Sequence, residues 1–290
     1  MFEINPAKKK KDKVGKRKRP VSQSSLASSA KFPRSSTDSR DGKAHTSKHR
    51  PKNYHGKSDT FPYTFRTDFL DHFETPAKAY RDIAAFLGAI ARRVGVAPSK
   101  LRIYDPYFCR GSVKTHLGSL GFTNVYNENE DFYKSSRYSQ PLYDVVVTNP
   151  PYSGRHKERC MEWLRGIEKP WFCLMWNFAA SKAWYHGGDK RVAENDWYLQ
   201  PTDKNRYDFR NPSGKGMKGG SPYMPLWYIN TTSLDNNSTH GVPVHSEAAI
   251  PPGLKIVKKF DDLAAHGVVR TKKRLNPRQR KKMKRKSNLF

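Results

Sequence analysis

The sequence is poor in the features that mark secreted, zinc-binding and membrane proteins. It has three cysteines, Cys109, Cys160 and Cys173, an odd number without metal-ligand spacing, so neither a disulfide framework nor a zinc site is supported. No run approaches the roughly 18 apolar residues that a membrane span needs, and the N-terminus lacks the apolar core of a signal peptide. We therefore expect an intracellular protein with reduced thiols, no metal and no membrane partner.

Acidic residues are scarce at both ends of the chain, which makes the charge distribution uneven. The formal net charge of the 290 residues is +29. Residues 1–58 carry +13 and residues 270–290 carry +11, which leaves +5 for the middle. Because the polar, basic composition of the first segment cannot offset chain entropy by burial, we predict a disordered basic arm over 1–58. A folded domain over 59–269 and a basic tail over 270–290 follow it.

Two clusters of basic residues in the arm, Lys8–Lys11 and Lys16–Arg19, resemble a bipartite nuclear localisation signal. The alternative is a solvated cationic arm that holds any polyanion. The clusters predict a protein of the nucleus or nucleolus, and their charge predicts a nucleic-acid partner bound with strong salt dependence.

The middle of the chain alternates helical and strand patterns, which predicts an α/β fold around a parallel sheet. Thr75 is predicted to cap a helix that has Pro76 at its first position and ends at Gly95. The patterns predict strands at 101–105, 124–126, 143–148 and 171–176, helices at 113–120 and 156–166, and a closing antiparallel pair of 206–209 with 226–229.

The tetrapeptide Asn149-Pro150-Pro151-Tyr152 directly follows a strand predicted to be buried. Ligands of open α/β sheets bind outside the carboxyl ends of the strands. An Asn side-chain oxygen and a Pro carbonyl can accept both hydrogens of a conjugated amine and localise its lone pair, while Tyr152 offers a face for a planar group. The alternative is a proline-rich turn that leaves a strand.

This tetrapeptide resembles the signature of the S-adenosylmethionine-dependent amino-methyltransferases, most of which act on the exocyclic amine of adenine in nucleic acid. Asp105-Pro106-Tyr107-Phe108-Cys109-Arg110-Gly111-Ser112 is similar to the cofactor loop of that family. Phe73-Glu74-Thr75-Pro76 resembles the aromatic-x-Thr-Pro element that precedes this loop. The order of the three elements is that of the family, and the resemblance covers about Phe61 to Ile229.

The resemblance implies a Rossmann-like class I methyltransferase sheet and S-adenosyl-L-methionine as cofactor. The implied catalytic residues are Asn149, Pro150, Pro151 and Tyr152, and the implied cofactor-binding residues are Thr75, Pro76, Asp105, Pro106, Cys109, Gly111, Glu128, Asp131 and Phe132. Two departures stand out: the loop has one glycine where the family usually has two, and the 44 residues from Asp105 to Asn149 hold one clear strand. We therefore expect a sheet that is one strand short.

A Gly-, Lys- and Ser-rich loop at 211–222 lies between the two segments of the predicted closing pair. The basic residues that flank it, Lys204, Arg206, Arg210, Lys215 and Lys218, are candidates for holding a phosphate backbone. A solvated basic loop is the alternative.

The expected function is methyl transfer to an adenine exocyclic amine, with RNA favoured over DNA because basic arms beside one catalytic domain suit a structured target. One alternative is a catalytically inactive Rossmann-like nucleic-acid-binding factor. Another is the protein glutamine-amide branch of the same family. An activating protein subunit is a further partner that the sequence leaves open.

Overall fold

The computed structural model describes residues 62–65, 67, 71–134, 141–187, 189, 193–203, 206–210, 224–235, 243–258 and 260–265. The arm predicted over 1–58 and the tail predicted over 270–290 lie outside these residues. So do the basic clusters that predict nuclear localisation.

Seven strands of the described chain form one mixed sheet. Their bounds are β1 Ile103–Tyr104, β2 Val125–Tyr126, β3 Val145–Thr148, β4 Trp171–Trp176, β5 Trp197–Pro201, β6 Pro225–Asn230 and β7 Leu254–Val257. The order across the sheet is β2-β1-β3-β4-β6-β5-β7. Strands β2, β1, β3 and β4 are parallel to one another, whereas β6 is antiparallel to both β4 and β5, and β7 is antiparallel to β5.

Helices cover the sheet and connect its strands. Their bounds are α1 Ala77–Val94, α2 Ser112–Gly118, α3 His156–Gly166, α4 Thr232–Asp235 and α5 Phe260–Ala265, and 3₁₀ turns occur at Pro98–Lys100, Ala179–Ser181, Ala183–Tyr185 and Val244–Glu247. None of the helices in the described part of the chain is long and apolar enough to cross a membrane.

The sheet has an apolar layer on each face because its central strands alternate their side chains between two cores. Val145 and Val147 of β3 pack with α1 and α2 on one face, and Val146 packs with α3 on the other. All four residues of β3 are buried, as expected for a central parallel strand. Gly95 caps the C-terminus of helix α1, and its φ of 76° is the left-handed conformation that glycine adopts at little cost.

The predicted α/β class is confirmed, and β4 and α3 have the predicted bounds. Helix α1 begins at Ala77, one residue later than predicted, and the other predicted elements of the parallel half are shorter. Between the loop after β1 and the strand β3, β2 is the one strand within the described residues.

The predicted closing pair is wrong. Strand β6 pairs with β5, at Trp197–Pro201, instead of with 206–209. Residues 206–209 form no strand because Arg206 and Tyr207 turn toward helix α1, where both side chains bond to the carboxylate of Asp82. The strand pattern of these residues reflects burial against α1 rather than sheet pairing.

Candidate active site

A cavity of about 590 Å³ lies at the carboxyl ends of the parallel strands. In the order β2-β1-β3, the chain passes from β1 to β2 on one side and then to β3 on the other side of β1. The boundary between β1 and β3 is therefore the position where ligands of open α/β sheets bind. The walls of the cavity come from the segment before α1, the loops after β1 and β2, and the turn after β3. The volume is in the range of small-molecule sites, roughly 300–1,000 Å³.

Asp105 directly follows β1 and is buried in the cavity wall. Its carboxylate accepts hydrogen bonds from Thr148 Oγ1 at 2.7 Å and from the backbone N–H of Tyr107 at 3.2 Å. Burial raises the pKa of this carboxyl to about 7, the two hydrogen bonds oppose that rise, and the charge of Glu74 adds to it. Asp105 therefore sits near its titration point at neutral pH.

The loop that follows Asp105 leads into helix α2 through Gly111. Gly111 has a φ of 79°, and a Cβ atom added there would lie 3.4 Å from the ring of Phe108. The single glycine of the loop therefore occupies the position that needs one. Pro106, Cys109 and Gly111 all line the cavity. Burial, followed by the Glu74 charge, raises the pKa of the Cys109 thiol well above its usual range, which keeps it protonated.

The turn Asn149–Tyr152 is held in place by its own side chains and by Thr75. Asn149 Nδ2 donates to Thr75 Oγ1 at 3.0 Å, and the Tyr152 hydroxyl lies 2.8 Å from Asn149 Oδ1 and 3.0 Å from the carbonyl oxygen of Leu174. The ring of Tyr152 stacks on Trp176 with centroids 4.1 Å apart. A carbonyl oxygen has two acceptor sites, so Asn149 Oδ1 retains one beyond Tyr152.

Not every residue of this turn faces the cavity. Asn149 and Pro151 line it together with Thr75, whereas Pro150, Tyr152 and Pro76 are not among the lining residues. Asp71, which the sequence did not indicate, also lines the cavity and fixes the turn: its Oδ1 accepts hydrogen bonds from the backbone N–H groups of Tyr152 at 3.2 Å and Ser153 at 2.9 Å. No local sequence signal links residues 81 positions apart.

The acidic turn after β2 is placed differently from the prediction. Glu128 does not line the cavity; its side chain is 51% exposed and pairs with Lys114 at 2.5 Å. The cavity is reached instead by Asn127, which follows β2 just as Asp105 follows β1 in the register Tyr104↔Tyr126. Asn127 is 1% exposed, donates to the Asp105 carbonyl, and its Oδ1 has no hydrogen-bond partner within the described residues.

The predicted pair Asp131 and Phe132 does line the cavity, where a chain of polar side chains continues the wall. The hydroxyl of Tyr133 lies 3.0 Å from that of Tyr107 and 2.9 Å from His156 Nδ1. Burial raises the pKa of Tyr133 to about 12, so the phenol stays neutral and can donate to either neighbour. This part of the wall is aromatic, with hydrogen-bonding groups at its rim.

The charge of the lining is opposite to that of the chain. The side chains of five acidic residues line the cavity: Asp71, Glu74, Asp105, Glu130 and Asp131. Among the residues that the structure describes, no lysine or arginine lines it. In a chain of net charge +29, this cavity favours a cationic ligand and disfavours a phosphate.

The basic residues expected to contact phosphate are only partly described, since Lys204, Lys215 and Lys218 lie outside the described residues. Arg206 is 10% exposed and forms an ion pair with Asp82 through two hydrogen bonds, so its guanidinium is occupied in the interior. Arg210 is 66% exposed and pairs with Asp208. Of the two, Arg210 is the one at the surface.

The described residues hold no group of three or more potential metal ligands, and all three cysteines are free thiols. Comparison of the chain with protein-family models, with curated proteins and with solved structures found no match. The site must therefore be interpreted from its own geometry.

Proposed function

We propose that the chain is an S-adenosylmethionine-dependent methyltransferase that acts on an adenine exocyclic amine in nucleic acid, with RNA favoured over DNA. In this proposal the mixed sheet is a class I methyltransferase sheet with one strand fewer between the cofactor loop and the signature turn. One observation carries the proposal: a single cavity is lined both by the loop after β1, from Asp105 to Ser112, and by Asn149 and Pro151 of the signature turn.

The lining fits the chemistry of this cofactor. S-adenosylmethionine carries a sulfonium, an ammonium and a carboxylate group, so its net charge is positive; an anionic lining attracts the two cationic groups, and the carboxylate would need backbone N–H donors. The buried, unpaired Oδ1 of Asn127 is placed to accept a hydrogen bond from a ligand hydroxyl. Asp131 and Phe132 offer a carboxylate and an aromatic face to an adenine ring. Asp105 and the backbone near Gly111 would hold the amino-acid part.

The cofactor, when bound, supplies an electrophilic methyl group, and the chain's own residues prepare the acceptor. Asn149 Oδ1, in the cavity wall, would accept a hydrogen of the target amine and orient its lone pair toward the methyl carbon, whereas the expected second acceptor, the Pro150 carbonyl, belongs to a buried residue that does not line the cavity. Thr75 and Tyr152 hold the Asn149 amide in one orientation. The stack on Trp176 fixes Tyr152, and a base packed at the turn would meet a rigid surface. Water accepts the released proton.

The test of this function measures methyl transfer by the full chain. Radiolabelled S-adenosylmethionine is incubated with total RNA or with genomic DNA, and the labelled nucleoside is identified after digestion. We expect labelled N6-methyladenosine in RNA, and a loss of at least about a hundredfold in Asn149→Ala. A variant at an exposed residue of helix α5 that does not line the cavity, Asp261→Asn, should retain full activity. Label on protein only, or none on any substrate, would contradict the proposal.

A second candidate is a nucleic-acid-binding factor that has lost catalysis. It is favoured by the bulky members of the loop, because Tyr107 and Phe108 line the cavity where the related loop is usually glycine-rich. Calorimetric titration of the full chain with S-adenosylhomocysteine separates the two functions. Micromolar binding supports the enzyme, and a folded chain that binds RNA but not this ligand supports the binding factor.

A further inference from the structure

Glu74 lines the cavity two residues before Pro76. Its backbone N–H donates to the Arg210 carbonyl at 3.1 Å, and its Oε2 accepts the Ser112 hydroxyl, which ties it to the first residue of α2. Its other oxygen, Oε1, is buried and has no hydrogen-bond partner within the described residues. A carboxylate oxygen shut away from water without a partner is costly, and the fold keeps one here at a cavity wall.

The groups around Glu74 include weak donors as well as acids: the Cys109 thiol bonds to the Glu74 carboxylate, and the Glu74 charge acts on His116. The same charge contributes to the raised pKa of the Asp105 carboxyl and of the Cys109 thiol, after the larger effect of burial in each case. Asp105 and Glu74 line the same cavity, to which the described residues contribute no lysine or arginine. Two carboxylates that face one buried space without a protein cation are stabilised together by a ligand that brings one.

A second, independent unsatisfied acceptor lies at the cavity wall. Asn127 is 1% exposed and also directs an unpaired oxygen, Oδ1, from a residue that lines the cavity. An amide oxygen suits a neutral donor such as a hydroxyl, whereas a carboxylate oxygen suits an ammonium group with three donors. The two unsatisfied acceptors therefore differ in the groups they would receive.

We infer that Glu74 Oε1 accepts a hydrogen bond from the α-ammonium group of the cofactor's amino-acid part, in a cavity that Asp105 also lines. The inference rests on the proposed function, which supplies the cofactor. It makes Glu74 a binding residue that discriminates ligands with the amino group from ligands without it. Ser112 then holds the Glu74 carboxylate in position through Oε2.

The experiment titrates the full chain by calorimetry with two probes. One is S-adenosylhomocysteine, and the other is its deamino analogue, which keeps the carboxylate and lacks only the amino group. Three proteins are compared: the unaltered chain, Glu74→Gln, and Glu128→Gln, a matched change at an exposed glutamate outside the cavity. Thermal unfolding of each variant is recorded to establish that it is folded.

For Glu74→Gln we expect the affinity for S-adenosylhomocysteine to fall by about tenfold or more, the size expected for a lost charge-assisted hydrogen bond. The affinity for the deamino analogue should change by less than about twofold, and Glu128→Gln should bind both probes normally. Equal losses for both probes would show that Glu74 only supports the loop and would overturn the inference. An unchanged affinity for both would overturn it as well.

The proposed function fails in a different and recognisable way. If the unaltered chain binds neither probe, the cofactor assignment is wrong, and the role of Glu74 falls with it. If the unaltered chain binds S-adenosylhomocysteine and Glu74→Gln binds it equally well, the proposed function stands and the inference about Glu74 alone is lost.

Discussion

An ionisable side chain buried in the cavity wall makes the free energy of unfolding depend on pH. Asp105 shows this most clearly, since its pKa of about 7 lies well above the usual pKa of an aspartate, about 3.9. A raised carboxyl pKa means that the folded state binds a proton more tightly than the unfolded state. The resulting stabilisation is present below about pH 4 and is lost as the pH rises through about 7.

The variant Asp105→Asn cannot ionise and should escape this loss. Between pH 5 and pH 8 the free energy of unfolding should therefore shift in favour of Asp105→Asn, relative to the unaltered chain, by on the order of 2 kcal/mol. Urea denaturation at the two pH values measures the shift. The exposed Asp208→Asn serves as the control. Parallel pH dependence in the unaltered chain and Asp105→Asn would show that Asp105 ionises normally.

The turn after β3 depends on one carboxylate from a distant segment. In Asp71→Ala the backbone N–H groups of Tyr152 and Ser153 lose their acceptor, so hydrogen exchange at these two amides should accelerate by about tenfold or more. The amide of Val146 bonds to the Pro170 carbonyl inside the sheet and should exchange as before. Unchanged protection of Tyr152 and Ser153 would mean that Asp71 does not hold the turn.

At the scale of secondary structure, one buried ion pair joins the segment after β5 to helix α1. Arg206→Ala would leave Asp82 buried without its cation, at an expected cost of about 3–5 kcal/mol in the free energy of unfolding. Arg210→Ala breaks an exposed pair and should cost at most about 1 kcal/mol. Chemical denaturation of both variants measures the difference. Similar costs for the two would exclude a structural role for Arg206.

Local sequence patterns predicted the elements whose formation depends on local burial. Strands β3 and β4 are recognisable because each is a continuous apolar run. Helix α3 is recognisable from the pattern of its own residues. The sequence patterns do not predict strand β5 and pair 206–209 with β6 instead. The reason is that the partner of β6 depends on contacts between separate segments of the chain. Pairing between distant segments leaves no period in either of them.

The same limit applies to the candidate site. The meeting of the turn after β3 with the loop after β1 was predictable because each directly follows a strand, and the ends of neighbouring parallel strands meet. The resemblance implies Glu128 because the family has a carboxylate after this strand, but the strand register places Asn127, which the sequence did not single out, beside Asp105. The contacts of Glu74 with Ser112 and of Asp71 with Ser153 depend on tertiary packing and could not be predicted.

At the scale of the whole molecule, the cationic ends and the anionic cavity predict two separable binding properties. Removal of residues 1–58 and 270–290 eliminates +24 of the net charge of +29. We expect RNA affinity to fall by at least about a hundredfold at low salt, with a shallower dependence of log K on log salt concentration. The affinity for S-adenosylhomocysteine should change by less than about twofold.

Fluorescence anisotropy with a short labelled RNA at several salt concentrations measures the first property, and calorimetry measures the second. A charge-matched control replaces both deleted segments by scrambled sequences of the same composition, which should restore most of the affinity. Retention of full RNA affinity and of the original salt slope by residues 59–269 would place the binding surface on the folded domain.

Because β6 lies between β4 and β5, the sheet cannot be completed during synthesis until β6 has been made. Every described wall of the cavity precedes residue 157, but β4 obtains its second neighbour only when 225–230 has been made. Until then the apolar strand Trp171–Trp176 has one open edge, and β5 has no connection to the rest of the sheet. A chain that stalls before residue 225 would therefore hold a nearly finished pocket beside an aggregation-prone edge, which makes it a natural client for chaperones.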